Sequence, residues 1–482
     1  MPEIFLVLTL TLVIIGEITY FGEQVRLSIG TTLLGLAAAF VQTLFIYEAG
    51  AKQVFGGSLS IDGFSLFFKL FFIFLAILSV VLVSQSEEIT SSRRSEYCAL
   101  ILASTLAMCL VTSAADFVLI FLSLLFLNVM NYFLSAYGWR SILSTEAAVK
   151  YLAFGSVALA LLLYAFAILF AYTHTLNLYQ MHQALVAHPL PFQVMLVVFV
   201  LSLLAFSFQM GSFPMSLVTP DILEGSPTPV SAFLSLGARA AGFAIAIRFF
   251  IVVFAKPGDA PGQWSVLGAL NWTEIISFLA ALTMLVGSLL SFRQKGAKRL
   301  VGYLVVADTG YMLLGLLVLD EVGIAALLYH LVIELFALMG SFYVLAYFYD
   351  ELKTDRLVDL KGMLKRAVPE CICLILFLFC LVGSPPTPGF IGKFALIGVA
   401  IRHHHLVLAW IGMISMVIAT GSVLRLAFHL VGDFKDAVGS PLKSQISRKA
   451  ILTLLIVPLV FVGIFADFVL RWAGQSLGFI FW

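Results

Sequence analysis

The chain has 482 residues, 62% of them hydrophobic and 11% charged, with a formal net charge of +1. Soluble domains carry about a quarter charged residues, so this composition, with a mean hydropathy of +1.08, excludes a water-soluble enzyme. Basic residues gathered in short loops of a near-neutral chain also exclude a nucleic-acid surface or an acidic binding face. Stretch after stretch runs about 20 residues almost without charge, the length that crosses a bilayer as a helix. Hydropathy places fourteen spans, near 3–21, 28–47, 63–85, 97–112, 116–136, 148–173, 193–218, 228–254, 270–292, 300–319, 321–348, 368–400, 405–430 and 450–472. The first, Ile4 to Tyr20, lacks a basic leader and a small-residue cleavage site and reads as a retained helix. The fold class is all-α and polytopic.

Lys and Arg alternate between the two sides. One side holds Arg26, Arg93, Arg94, Arg140, the cluster Arg293 to Arg299, the run Lys353 to Arg366, Lys435, Lys443 and Arg448, whereas the other holds little beyond Lys52, Lys256 and Arg402. The basic excess marks the cytoplasmic side, which puts both termini outside. Cys98, Cys109, Cys371, Cys373 and Cys380 lie in or beside apolar segments with no metal-binding spacing, so they read as apolar fillers.

The seventh span contains Phe213-Pro214 and runs into Thr219-Pro220, and the twelfth contains Gly383-Ser384-Pro385-Pro386-Thr387-Pro388-Gly389. Proline removes helix hydrogen bonds, and freed carbonyls at membrane depth belong beside protein or a wet cavity. Five spans separate the breaks. An odd separation reverses direction, so spans 4–8 recur inverted as spans 9–13. The expected organisation is three N-terminal helices over 1–95, a first repeat over 96–255, an inverted second repeat over 256–432 and a last helix in 433–482. Two ordinary proline kinks in a helix bundle are the alternative.

Ionisable residues inside apolar spans are costly and mark function. Glu146 and Lys150 are four apart at the start of the sixth span, on one face, either a proton-handling pair or an interfacial salt bridge. Arg239 stands midway along the eighth span among small residues, and as an arginine it suits a fixed counter-charge better than a relay. Lys393 follows the second break and can bind and release protons if desolvated. Asp308 and Glu334 lie inside the tenth and eleventh spans, with His330 four residues before Glu334. They either pass protons or sit as neutral acids bonded to neighbouring helices. Glu17 and Lys69 are unassigned because the first helices are expected at the periphery. His403-His404-His405 has no partnering Cys or carboxylate in the sequence and reads as a solvated run rather than a zinc site.

The stretch Phe213 to Val230, with its Thr219-Pro220-Asp221 and its Glu224-Gly225 followed by Pro227-Thr228-Pro229-Val230, resembles the FHxWTPDVYEGAPTPV signature of antiporter-like subunits. Glu146-Ala147-Ala148-Val149-Lys150-Tyr151, Arg293-Gln294 with Lys298-Arg299-Leu300, and Gly383 to Lys393, similar to GIPPTAGFxGKF, agree in order and spacing over about residues 60–430. On these residues the chain resembles the antiporter-like subunits of proton-pumping NADH:quinone oxidoreductase, respiratory complex I. Within that family it is most similar to subunit N, called subunit 2 in mitochondria.

The resemblance implies a non-redox subunit of a translocase in the bacterial inner membrane, housing a proton path and binding no cofactor or metal of its own. NADH, flavin, iron–sulfur clusters and quinone are then expected on partner subunits, and the neighbours are a further antiporter-like subunit and small membrane subunits. It also implies a charged axis in which Lys150 is the sixth-helix lysine, Glu146 its acidic neighbour and Lys393 the twelfth-helix lysine. The sequence departs from the pattern at Leu125, Gln209 and Ser216, which stand for a glutamate, a lysine and a histidine, and at Arg239, which stands for a lysine. Related cation/proton antiporters and membrane-bound hydrogenases share the broken-helix signature, and a scaffold subunit that does not pump is a third reading.

Overall fold

The computed structural model describes residues 1–20, 25–47, 52–90, 93–138, 141–258, 263–267, 272–318, 320–432 and 446–477. The chain folds as a helical bundle that opens with α1 (Pro2–Tyr20), α2 (Val25–Tyr47) and a small hairpin of β1 (Lys52–Val54) and β2 (Leu59–Ile61). There follow α3 (Gly63–Gln85), α4 (Arg94–Ser113), α5 (Phe117–Ser135), α6 (Ile142–Thr173), α7 (Leu178–Ala187), α8 (Phe192–Met210), α9 (Thr219–Gly225) and α10 (Thr228–Phe254). A second hairpin, β3 (Ala255–Pro257) and β4 (Trp264–Val266), leads to α11 (Trp272–Phe292), α12 (Ala297–Leu317), α13 (Glu321–Leu352), α14 (Met363–Arg366), α15 (Val368–Val382), α16 (Pro388–Arg402), α17 (Leu406–Val431), α18 (Ile446–Ile464) and α19 (Ala466–Leu477).

Among the described residues twelve helices are long and apolar enough to cross a membrane, thirteen if the bent pair at the C-terminus counts as one span. The span expected over 368–400 is two helices of 15 residues, α15 and α16. The span expected over 450–472 is also not straight: α18 turns by 84° into α19. The short α7 carries Leu178, Met181 and Leu185 on a buried face at helical spacing, and is too brief for a span-length hydropathy window. Arg140, Lys435 and Lys443, three of the residues used to orient the chain, fall outside the described residues.

The core runs through α10 and α12, each wholly buried along its apolar window, and through α13 and α3, at 89% and 83%. The outer α1 and α2 bury 28% and 22%. The expectation that the first helices are all peripheral is therefore wrong for α3, whose Lys69 is buried and pairs with Glu3 at 2.7 Å. The entry of α3 is fixed by Asp62: its carboxylate accepts from the Ser65 N–H at 2.8 Å, and its own N–H donates to the Ser65 hydroxyl at 3.0 Å, a reciprocal cap.

Both broken spans are built alike. Gly211 ends α8 and Gly383 ends α15 in left-handed backbone, at φ +72° and +82°, which glycine adopts without a side-chain clash. The N–H groups of Ser212 and Ser384 reach back to the carbonyls of Ser207 and Phe379, closing the same helix-end motif. In each case a proline then opens the following helix, α9 or α16, where its missing N–H is harmless. Neighbour relations recur as well. The helix α6 packs on α8 and α9 as α13 packs on α15 and α16, and α10 packs on α4 as α17 packs on α11. The inverted repeat read from the spacing of the prolines is thus an arrangement of helices.

Candidate functional site

Five of the seven candidate residues converge. Arg239 comes from α10, Asp308 from α12, His330 and Glu334 from α13 and Lys393 from α16, and all are buried. The Arg239 guanidinium lies 2.6 Å from Glu334 and 3.5 Å from Asp308, and also donates to the Val305 carbonyl at 3.3 Å. Asp308 is the hub: Lys393 Nζ is 2.8 Å from its Oδ1, and His330 Nε2 is 3.0 Å from the same oxygen. Lys393 Nζ further sits 4.4 Å from the centre of the Tyr311 ring, a cation–π contact. The Tyr311 hydroxyl donates to the Gly412 carbonyl at 2.6 Å and so holds the ring in place.

Two glycines allow this crowding. A Cβ at Gly392 would stand 2.5 Å from His330 Nδ1, and one at Gly383 would stand 2.8 Å from Lys393 Cδ. Two basic side chains, Arg239 and Lys393, face two carboxylates, Asp308 and Glu334, with the His330 imidazole against Asp308. Unpaired, each buried ion would cost several kcal/mol. Asp308 is therefore no isolated neutral acid: three basic groups surround one carboxylate.

Asp308, His330 and Glu334 also bring potential metal-ligand atoms within 4.8 Å of one another. Their carboxylates already face Arg239 and Lys393, so a divalent ion would enter against two fixed positive charges. The group is built as an ion-pair cluster and does not suit a metal.

Glu146 and Lys150 belong to a separate group, and among the described residues no ion pair joins that group to the cluster around Asp308. Lys150 Nζ lies 2.6 Å from Glu146 and 2.5 Å from Asp221. Arg299 then bridges Asp221 at 2.9 Å and Glu224 at 3.0 Å. This group is half-exposed, with the side chains of Lys150 and Glu146 at 32% and 52%. Glu224 follows the first break, and its carboxyl is pushed up from the ordinary value by burial, with the neighbouring Arg299 opposing the shift. Asp221, Glu224 and Arg299 stand in recognisable motifs, yet the pairing of Lys150 with Asp221 and of Arg299 with Asp221 and Glu224 joins residues dozens of positions apart and has no local periodicity to announce it. Next to Lys150 in sequence, Tyr151 lines a cavity of about 40 Å³ that Gln209 and Arg239 also line.

Sequence reasoning missed a second buried fork. Arg248 meets both oxygens of Asp62 at 2.8 and 2.9 Å and donates from Nε to the Thr112 carbonyl at 2.9 Å, tying α10 to α3 and α4. The expectation that the His403 run has no carboxylate partner is also corrected: His403 Nε2 lies 3.6 Å from Asp320, the residue that caps α13. Of the four departures, Leu125 is on an exposed face of α5, whereas Gln209, Ser216 and Arg239 are buried.

Two broken helices in repeated five-span units, with a buried cluster of ionisable groups beside the second break, define a polytopic ion-translocating membrane subunit of the antiporter-like class. The family described as NADH:quinone oxidoreductase/Mrp antiporter, transmembrane, matches residues 114–419. NADH-quinone oxidoreductase subunit N of Chlorobium chlorochromatii (strain CaD3) is 34% identical over 89% of this chain and 83% of its own length. NAD(P)H-quinone oxidoreductase subunit 2 of Synechococcus sp. (strain WH7803) is 32% identical over 92% of this chain and 84% of its own. A chain of respiratory complex I from Thermus thermophilus superposes with a TM-score of 0.80 at 26% identity, covering 98% of this chain and 99% of that one. A chain of the Mrp complex from Dietzia sp. DQ12-45-1b superposes at 0.84 with 17% identity, over 98% and 96%, a likeness of fold alone. The chain belongs to the NADH-quinone oxidoreductase subunit N family.

Proposed function

We propose that this subunit carries protons through the membrane arm of a redox-driven NADH:quinone oxidoreductase, along a path centred on Arg239, Asp308, His330, Glu334 and Lys393. The observation that carries the reading is the convergence of these five buried groups, from four helices, beside the second broken helix. Lys393, Asp308 and His330 exchange the proton: Asp308 Oδ1 touches both Lys393 Nζ and His330 Nε2, so a proton leaving either finds the same acceptor. Arg239 keeps its charge and holds Glu334 and Asp308 in register. A proton added to this buried cluster places one more positive charge beside Lys393 and Arg239, so uptake at one end favours release at the other.

Glu146 and Lys150, with Asp221 and Arg299, form the loading end of the first repeat on the cytoplasmic side. Both termini are then on the periplasmic side of a bacterial inner membrane, and the repeats occupy 96–255 and 256–432 between three leading helices in 1–95 and a last helix in 433–482. The flavin, iron–sulfur clusters and quinone belong to partner subunits, and the neighbours are a further antiporter-like subunit and small membrane subunits of the same arm.

The test is redox-driven proton uptake in inverted membrane vesicles carrying Lys393→Ala, with assembly of the complex checked in parallel. Loss of uptake in an assembled complex is the expected outcome. Unchanged uptake would instead assign the subunit a scaffold role, the second reading, which the uncharged Gln209 and Ser216 of the first repeat favour.

A further inference from the structure

The first repeat has lost a charged group at Gln209 but has kept space and polarity there. The amide oxygen and nitrogen of Gln209 are both buried without a protein hydrogen-bond partner, and so is Nε of Arg239. Both residues line the cavity of about 40 Å³ between α6, α8, α9 and α10, together with Tyr151, Thr219 and Ser235. Gln209 itself is only 6% exposed. A buried water needs roughly 10–15 Å³ of such volume and two to four polar partners, so the cavity has room for about three and the groups to hold them. Tyr151 continues the polar line beyond the cavity: its hydroxyl accepts from Asn131 Nδ2 at 3.1 Å, and Asn131 Oδ1 accepts from Ser104 at 2.8 Å. Native interiors rarely leave an amide unmet at both ends, and an apolar residue would fill this position more cheaply if nothing were bound.

We infer that this cavity holds a short file of water, oriented by Gln209 and Tyr151, which serves in place of a charged side chain as the first repeat's proton connection to the ion-pair cluster. The inference rests on the proton path proposed above and names its first-repeat segment. An excess proton entering from the Lys150 end moves by exchange: at each step one O–H bond forms on the receiving water as one breaks on the donor. Gln209 neither gains nor loses a proton and is a positioning residue. The file ends at Arg239, whose partner Glu334 keeps one carboxylate oxygen, Oε1, without a protein partner and is the group that accepts the arriving proton.

The experiment uses the whole complex in inverted vesicles, reading redox-driven proton uptake against pH for Gln209→Leu, Ala238→Val, Gln209→Glu and Lys393→Ala, with assembly verified for each. Leu removes the amide, Val at a cavity-lining position takes up the volume, and Glu keeps the polarity while adding a titratable group to the file. Uptake in Gln209→Leu and Ala238→Val is expected to fall to the level of Lys393→Ala, whereas Gln209→Glu retains uptake with a new limb in its pH profile. A structural role for Gln209 would not create that limb. Full uptake in assembled Gln209→Leu, alongside lost uptake in Lys393→Ala, overturns the water file and leaves the central cluster standing. Full uptake in Lys393→Ala overturns the parent reading instead. Should Gln209→Leu fail to assemble, the Gln209→Glu profile decides, and a profile identical to that of the unsubstituted complex overturns the file.

Discussion

Arg239 shows how one side chain can be structural and functional at once. Its fork spans Glu334 on one nitrogen and Asp308 on the other, which a lysine ammonium, a single point charge on a flexible stem, does not reproduce. Removing one partner of a buried ion pair typically costs about 3–5 kcal/mol, because the other charge is left uncompensated. Arg239→Ala is therefore expected to lower the melting temperature of the purified complex or to stop its assembly. Arg239→Lys assembles and pumps less, with Glu334 or Asp308 but not both held. Equal stability of the Ala variant would mean that the two carboxylates take up protons and need no counter-charge. Arg248 and Asp62 offer the control, a buried arginine whose two nitrogens meet both oxygens of a single carboxylate away from the cluster. Replacing one partner, as in Asp62→Asn, destabilises by a similar amount, whereas the apolar pair Asp62→Leu with Arg248→Met recovers the ion-pair part of the loss but not the cap that Asp62 gives α3. Thermal melts of these two variants measure this directly, and proton uptake per electron in whichever of them assembles stays at the unsubstituted level.

At the scale of helices, the second break depends on close approach of α16 to α15. A Cβ at Gly389 would fall 1.7 Å from the Cys380 carbonyl oxygen, whereas one at Gly398, on the same helix, meets nothing within 4 Å. Gly389→Ala must push α16 off α15 and carry Lys393 away from Asp308, so loss of proton uptake is expected even where the complex assembles. Gly398→Ala is expected to be neutral or to stabilise by up to about 1 kcal/mol, the ordinary gain of alanine over glycine inside a helix. Equal behaviour of the two variants in an uptake assay would refute this account of the break. These elements were largely legible in the sequence, because lipid demands runs of about 20 apolar residues and proline marks where such a run cannot stay helical. The pair His330 and Glu334 was legible for the same local reason, being four apart on one helix. What was not legible joins distant parts of the chain: Arg299 with Asp221, Arg248 with Asp62, and Lys69 with Glu3. Periodicity reports which face of a helix is buried and not which helix covers it, so the partners, and the central place of α3, emerge only from packing. The turn between α18 and α19 follows no internal proline at the bend, since Pro458 lies within α18, and hydropathy ran straight through it.

Across the whole molecule the charged groups divide by solvent access, and this gives the two ends of the path different responses to salt. Lys150, Glu146, Asp221 and Arg299 are partly exposed, while Lys393 and Asp308 have side chains 3% and 0% exposed. Mobile ions screen exposed charges over a Debye length of about 10 Å at 0.1 M and about 3 Å at 1 M, and reach buried pairs much less. Lys150→Ala removes the cation shared by Glu146 and Asp221 and leaves a net negative end, which alters the local proton supply through its field. The defect in initial uptake rate is therefore expected to be partial and to shrink towards the unsubstituted rate as salt rises. The defect of Lys393→Ala is lost chemistry inside a buried cluster that bulk ions do not reach, and salt leaves it unchanged. Uptake rates for both variants, measured in the same vesicles across that salt range and normalised to electron transfer, separate the two cases. A salt-insensitive Lys150→Ala defect as deep as that of Lys393→Ala would place Lys150 in the relay itself rather than at its loading end.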